Sequence, residues 1–374
     1  MATSEYKPNP SFVLRAIEDV VYEERAVPEL GPNEVLIEVK KTGICGSDVH
    51  YLVHGRIGDF IVDKPMVLGH ESSGIVSKIG SNVKHLAVGA RVALEPGASC
   101  KSCDNCKAGH YELCPEMVFA ATPPYDGTLG RYYKLPADLA YALPDNLDLE
   151  DGAMMEPLSV GVHSVANLGN FRANQTIAIF GAGPVGLLGM AVAKALGAKR
   201  VIAVDIVQSR LDFAKSYAAT DIFLPGKKNE GEEQIAYSKR TAAEMAAKLK
   251  FTERGIDAID LVVDCSGAPT CIQTALFIVK HGGTVIQVGM GNSEALLPVT
   301  TILVKEINYK GSFRYGPGDY PLSIGLVASG KIDLKPLVTH RFTFDQAPLA
   351  FETTKKGKSE DGKSVIKAII SGPE

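Results

Sequence analysis

Three residues of this chain have the types and order of an open metal site. They are Cys45, in the run Cys45-Gly46-Ser47-Asp48-Val49-His50, and the pair His70-Glu71. A thiolate, an imidazole and a carboxylate suit zinc, and a catalytic zinc keeps one position free for water or substrate. Downstream stands Gly181-Ala182-Gly183-Pro184-Val185-Gly186, a glycine loop of the dinucleotide-binding type. A Lewis-acid metal and a nicotinamide cofactor in one chain point to reversible oxidation of an alcohol, the cation stabilising the alkoxide while hydride leaves. Glu156 is a further oxygen donor, and Ser47 and His50 sit beside Cys45 as a proton relay to solvent. Tyr51 and Arg314 are candidates to hydrogen-bond further substrate hydroxyls. A His-Glu pair is more often a surface pair, and Glu156 alone could open a helix, so spacing by itself leaves the metal geometry open.

The glycine loop gains specificity from its setting. It follows the apolar run Thr176-Ile177-Ala178-Ile179-Phe180, opens a helical run from Gly186 to Leu196, and is followed by Asp205 at the end of the next strand. Gly181 permits the tight turn, Gly183 lets the backbone approach a pyrophosphate, and Gly186 allows close helix-strand packing. The helix N-terminus then faces the phosphates. A carboxylate at Asp205 would accept the adenosine ribose hydroxyls and repel a 2′-phosphate, favouring NAD over NADP. Arg210 is a candidate to stack on the adenine. A structural glycine turn with no ligand is the plain alternative.

Four of the seven cysteines crowd together as Cys100-x2-Cys103-x2-Cys106-x7-Cys114. Four thiolates close a tetrahedral zinc to substrate, so this site would hold a loop together. An iron–sulfur cluster is the rival and a disulfide pair is disfavoured, because the chain reads as a protein of a reducing compartment. Cys265 and Cys271 stand apart as inert buried thiols. His54, His85, His110, His163, His281 and His340 are unclustered and receive no chemistry.

These groups need elements to position them. The first 150 or so residues are rich in short β-type runs, among them Phe12-Val13-Leu14, Val35-Leu36-Ile37-Glu38-Val39, Ser73-Gly74-Ile75-Val76 and Arg91-Val92-Ala93-Leu94. After Glu156, apolar strands at Thr176–Phe180, Val201–Asp205, Leu261–Asp264 and Thr284–Val288 alternate with helical stretches. That alternation predicts a parallel sheet covered on both faces. Thr176 to Ala198 is apolar enough to imitate a membrane span, but its glycines, proline and Lys194 favour a buried strand-turn-helix. Lys227 to Gly255 is charged and reads as a solvated helix and loop. After about Gly311 the pattern suggests a return to the first domain.

A chain of 374 residues exceeds one ordinary core, so two domains are expected. A net charge of −4 argues against a nucleic-acid or anionic-membrane surface. Met1 to Pro10 lacks the apolar core of a signal peptide, and the last residues carry no lipidation signal, so the expected location is the cytoplasm.

Taken together, Cys45-Gly46-Ser47-Asp48-Val49-His50-Tyr51, Gly69-His70-Glu71, the four cysteines, Glu156-Pro157-Leu158-Ser159-Val160 and the glycine loop resemble the zinc-dependent medium-chain dehydrogenases. Phe119-Ala120-Ala121-Thr122-Pro123-Pro124-Tyr125-Asp126-Gly127 and Lys310-Gly311-Ser312-Phe313-Arg314-Tyr315 are similar to the polyol branch, which includes sorbitol, xylitol and arabinitol dehydrogenases. The resemblance implies an α/β architecture: a GroES-like β-rich catalytic domain (residues 1–157 and 313–374) and a Rossmann doubly wound cofactor domain (158–312). It implies NAD and two zincs, one catalytic at Cys45, His70 and Glu71 with Glu156 binding directly or through water, and one structural at the four cysteines. Simple alcohol dehydrogenases carry a cysteine where this chain has Glu156. Cofactor contacts are implied at Gly181, Gly183, Pro184, Val185, Gly186, Asp205, Arg210, Val288, Gly289, Met290, Ser312, Phe313 and Arg314. Substrate contacts are implied at Tyr51, Phe119, Thr122, Glu156, Arg314 and Tyr315. The implied activity is oxidation of a polyol to a ketose, xylitol to D-xylulose first, with L-arabinitol or sorbitol as alternatives. A zinc-free, non-catalytic relative of the same fold is the reading from another class. A homo-oligomer, tetramer or dimer, is also implied.

Overall fold

Strand Glu34–Gly43 buries Val35, Leu36, Ile37 and Val39, residues whose branched and aliphatic side chains suit a pleated, covered surface. It lies inside a seven-stranded sheet, which the computed structural model gives as Ala140–Ala142, Arg91–Leu94, Glu71–Ile79, Glu34–Gly43, Lys367–Ser371 and Val338–Phe342, with Tyr132–Pro136 also pairing to Glu34–Gly43. The structure describes residues 6–292 and 294–374. The antiparallel register of the central pair places Gly43 opposite Glu71. Gly43 is obligatory there, because a Cβ would fall on the Glu71 carboxylate. The strand from the far end of the sequence, Lys367–Ser371, runs antiparallel to Glu34–Gly43 and parallel to Val338–Phe342. The runs read as strands at 12–14, 35–39, 73–76 and 91–94 all lie in observed strands.

The chain divides into two compact units, one extending to Glu156 and resuming at Tyr320–Glu374, the other Pro157–Asp319. The first carries two buried apolar clusters, one around Phe12, Leu14, Leu68, Phe351 and Ile370, the other around Val35, Ile37, Val76, Val92 and Leu94.

The second unit is a six-stranded, wholly parallel sheet in the order Asp221–Phe223, Arg200–Val204, Thr176–Phe180, Ile259–Asp264, Val279–Gln287, Asn308–Gly311. In chain order this is 3-2-1-4-5-6, the doubly wound arrangement that binds dinucleotides beyond the carboxyl ends of its strands. Its core packs Phe180, Ile202, Val204 and Val262 of the strands with Met245, Ala275 and Leu276 of the covering helices. The membrane-like stretch resolves into strand Thr176–Phe180 and helix Pro184–Ala195, and no helix among the described residues is long and apolar enough to cross a membrane. The charged segment contains the helix Gln234–Leu249, which is solvated on one face and buries Ser238, Thr241, Ala242 and Met245 on the other.

Ile370 is fully buried in the returning strand. Ile370→Ala is expected to cost about 2–5 kcal/mol, read as a lower denaturation midpoint of the first unit. An unchanged midpoint would mean that this strand contributes nothing to that unit's stability.

Candidate active site

Cys45 ends an extended segment and caps the N-terminus of helix Gly46–His54, where the unpaired N–H groups favour an anionic side chain. This nine-residue helix was not foreseen from the sequence. Its third residue, Asp48, is fully buried and organises both ligand-bearing segments. One Asp48 oxygen accepts the Cys45 N–H at 3.3 Å, and the other accepts the Gly69 N–H at 2.9 Å. Gly69 has φ +90°, a left-handed conformation that turns the chain so that His70 faces inward.

Donor atoms of Cys45, His70 and Glu71 lie within 4.8 Å of one another. The His70 ring nitrogen Nδ1 stands 3.4 Å from Asp48 Oδ2, and it is buried without a hydrogen-bond partner among the described residues. Burial works to lower the His70 pKa, but Asp48 and Cys45 outweigh it and raise the pKa well above the ordinary histidine value. A divalent cation would compete for that place, since sulfur, nitrogen and oxygen donors around one buried point suit zinc. Glu156 is buried in helix Met155–Val162 and is not among the three donors that converge.

Both Glu71 oxygens are held by a residue that no local motif singles out. Lys367 Nζ donates to them at 2.7 and 2.6 Å and to the Ile44 carbonyl at 3.2 Å, so all three of its protons are used. Burial opposes the charge on Lys367, yet Glu71, Cys45 and Glu156 hold its pKa above the usual lysine range. Phe119 covers the site with its ring centroid 5.9 Å from that of His70. Tyr51 is buried, Ser47 and Thr122 are half-buried, and His50 is exposed with its ring 4.6 Å from that of His54.

The four cysteines also converge, their sulfurs within 4.8 Å of one another. Thiolates at about 2.3 Å from a tetrahedral centre fit that spacing, which leaves room for a single ion. The Cys100 sulfur accepts N–H from Cys103 at 3.3 Å and a hydroxyl from Ser102 at 3.6 Å, and the Cys114 sulfur accepts the Cys100 N–H at 3.3 Å. Hydrogen bonds from Ser102 and Cys103 bring the Cys100 thiol down to about 6. Desolvation and the neighbouring sulfurs push Cys103 up to about 11 and raise Cys114. A cation removes that conflict among like groups.

In the second unit, Gly181 has φ +89°, and a Cβ on Gly186 would fall on the Gly181 carbonyl. Gly183 differs. Its φ is −80° and a Cβ would meet nothing within 4 Å, so no neighbouring protein atom requires glycine there. An approaching ligand would. Pro184 opens the helix, and its fixed φ leaves the first-turn N–H groups of Val185 and Gly186 pointing outward. The Asp205 carboxylate is buried and fixed by the Ala182 N–H at 2.8 Å and the Val207 N–H at 2.9 Å, leaving lone pairs for a sugar hydroxyl. Arg210 lies 4.0 Å from Asp205. Val288 and Gly289 donate their N–H groups to the Asp264 carbonyl, and Met290 beyond them is exposed. At the end of the last strand the Ser312 hydroxyl is buried without a partner among the described residues. The Arg314 guanidinium lies 4.5 Å from the Phe313 ring centroid, and Tyr315 is buried.

Residues 31–145 match the family described as alcohol dehydrogenase GroES-like domain, and residues 184–329 match zinc-binding dehydrogenase. The chain is 52% identical over 366 residues to Probable D-xylulose reductase A of Neosartorya fischeri, covering 97% of each. It is 51% identical over 366 residues to D-xylulose reductase A of Aspergillus niger, again covering 97% of each. Among solved structures, an Escherichia coli oxidoreductase of unknown specificity superposes with a TM-score of 0.85 at 31% identity, covering 98% of this chain and 100% of that one. On the strength of end-to-end likeness at this level of identity, the chain belongs to the zinc-dependent medium-chain dehydrogenases.

Proposed function

We propose that this chain is a zinc- and NAD-dependent polyol dehydrogenase that interconverts xylitol and D-xylulose. The observation that carries the reading is the convergence of Cys45, His70 and Glu71 within 4.8 Å, in a chain similar throughout to D-xylulose reductases. When bound, zinc supplies a Lewis acid that stabilises an alkoxide near neutral pH, and NAD supplies the hydride acceptor.

Cys45, His70 and Glu71 hold the catalytic zinc, with Glu156 beside them as a ligand or through water. Asp48 fixes the backbone on either side of the site through the Cys45 and Gly69 N–H groups, and Lys367 fixes the plane of the Glu71 carboxylate. Ser47 and His50 carry the alcohol proton outward, and the exposure of His50 suits the solvent end of that route. Tyr51, Phe119, Thr122, Arg314 and Tyr315 orient the polyol, the Phe119 ring keeping water from the His70 side. The loop Gly181–Gly186 holds the pyrophosphate and Asp205 the ribose. Arg210, Val288, Gly289, Met290, Ser312, Phe313 and Arg314 complete the cofactor contacts. Cys100, Cys103, Cys106 and Cys114 hold a structural zinc.

In sequence, the catalytic domain comprises 1–157 and 313–374, with the cofactor domain at 158–312. A cytoplasmic location suits four closely spaced reduced thiols. A homo-oligomer, dimer or tetramer, is supported by the exposed edge strand Asn308–Gly311 and the neighbouring exposed Val299, Leu303 and Val304.

Cys45→Ser is expected to lower kcat by more than about a hundredfold, beyond the usual effect of losing an outer-shell partner. Metal analysis should fall from two zincs to one per chain, with NAD affinity retained. Full turnover by this variant would remove the metal role from Cys45. Asp205→Ala should lower kcat/KM with NAD by about tenfold or more, through the lost charge-assisted hydrogen bonds, while sparing NADP. An unchanged cofactor preference would take Asp205 out of the ribose site. Across xylitol, L-arabinitol and sorbitol, kcat/KM should be highest for xylitol, and faster turnover of L-arabinitol would reassign the substrate.

A further inference from the structure

Helix Met155–Val162 passes directly into a π-helical turn, His163–Leu168, where the Gly169 N–H reaches back five residues to the Ser164 carbonyl. Such turns are rare and recur at functional sites. Here the wider turn aims two side chains, His163 and Asn167, at a single carboxylate. His163 Nδ1 lies 2.9 Å from Asp319 Oδ2, and Asn167 Nδ2 donates to Asp319 Oδ1 at 2.5 Å. Asp319 is fully shielded from solvent and His163 nearly so.

The same carboxylate accepts a third bond, from the Gly316 N–H at 2.6 Å. It returns the chain three residues back, as the acidic residue of a capping box does. Upstream, the Ser312 N–H bonds the Gln287 carbonyl at 2.8 Å. Between these two anchors stands Arg314, a non-glycine residue at φ +58°. A left-handed backbone of this kind persists only where its surroundings impose it.

We propose that His163, Asn167 and Asp319 form a latch that imposes this backbone on Arg314 and thereby positions its guanidinium for the polyol. The proposal rests on the reading of Arg314 as a polyol-binding residue. His163 and Asp319 are positioning residues, since they act through Gly316 and the loop. The histidine that the sequence left without chemistry thus acquires a role from a partner 156 residues away.

Two measurements test the latch. In the ligand-free protein, His163→Ala should speed amide hydrogen exchange across 312–318 by about tenfold or more, while His163→Asn, which restores a donor near Nδ1, should recover slow exchange. Asn167→Ala, at an exposed position, should give a smaller acceleration and serves if His163→Ala does not fold. Unchanged exchange in His163→Ala, or in Asn167→Ala if it alone folds, overturns the latch. In turnover, His163→Ala should raise the KM for xylitol about tenfold with zinc content unchanged, and should add nothing once Arg314→Ala is present. Additive losses would show that His163 acts elsewhere. A wild-type protein that oxidises no polyol would remove the substrate reading, while the exchange measurement would still decide the latch.

Discussion

Burying the Glu71 carboxylate is the constraint around which the first unit is arranged. An ionised carboxylate removed from water is tolerated only when a charge and hydrogen bonds accompany it. Lys367 supplies both, with the side chains of the pair 3% and 1% exposed. The pair in turn demands the strand order, because Lys367 reaches Glu71 from a strand lying beside Glu34–Gly43. It demands glycine at position 43, where any Cβ would displace the carboxylate. Stripping away either partner would leave an uncompensated charge in the interior. The sheet is thus built to present a fixed acidic group at the spot where a thiol and an imidazole already meet.

The second unit solves a different problem, that of leaving space. Gly186 is dictated by the protein itself, since its side chain would strike the Gly181 carbonyl. Gly183 faces open space, which leaves room for the pyrophosphate of the proposed cofactor. Asp205 is pinned by two backbone N–H groups before any ligand arrives, which removes the cost of orienting it later. Preorganisation of this kind and the helix N-terminus at Pro184 would act together on the proposed cofactor.

The sequence reveals ligand types where they fall in short runs. Cys45, His70-Glu71, the four cysteines and the glycine loop are legible because their spacing is local and their chemistry narrow. The alternating strands and helices after Glu156 are legible for the same reason, since hydrophobic periodicity is a property of neighbouring residues. Asp48 stands in plain view in the Cys45 run, yet its role depends on a helix too short for its pattern to register. Lys367 is an ordinary lysine until a sheet places it against a residue 296 positions earlier. His163 is likewise a lone histidine until the fold brings Asp319 to it. What stayed hidden is the second layer, the groups that hold the candidate ligands, because long-range pairing writes no local signature.

The position of strand Lys367–Ser371 has a consequence for how the molecule is made. It inserts between Glu34–Gly43 and Val338–Phe342, so the larger sheet lacks an interior member until residues 367–371 have been translated. Every strand of the parallel sheet precedes residue 312 and can assemble earlier. During that interval the nascent first unit keeps an open edge at Lys41–Gly43, beyond the stretch paired by Tyr132–Pro136, and the lysine that neutralises Glu71 has yet to be polymerised. The parallel sheet is therefore free to assemble before Lys367 can reach Glu71.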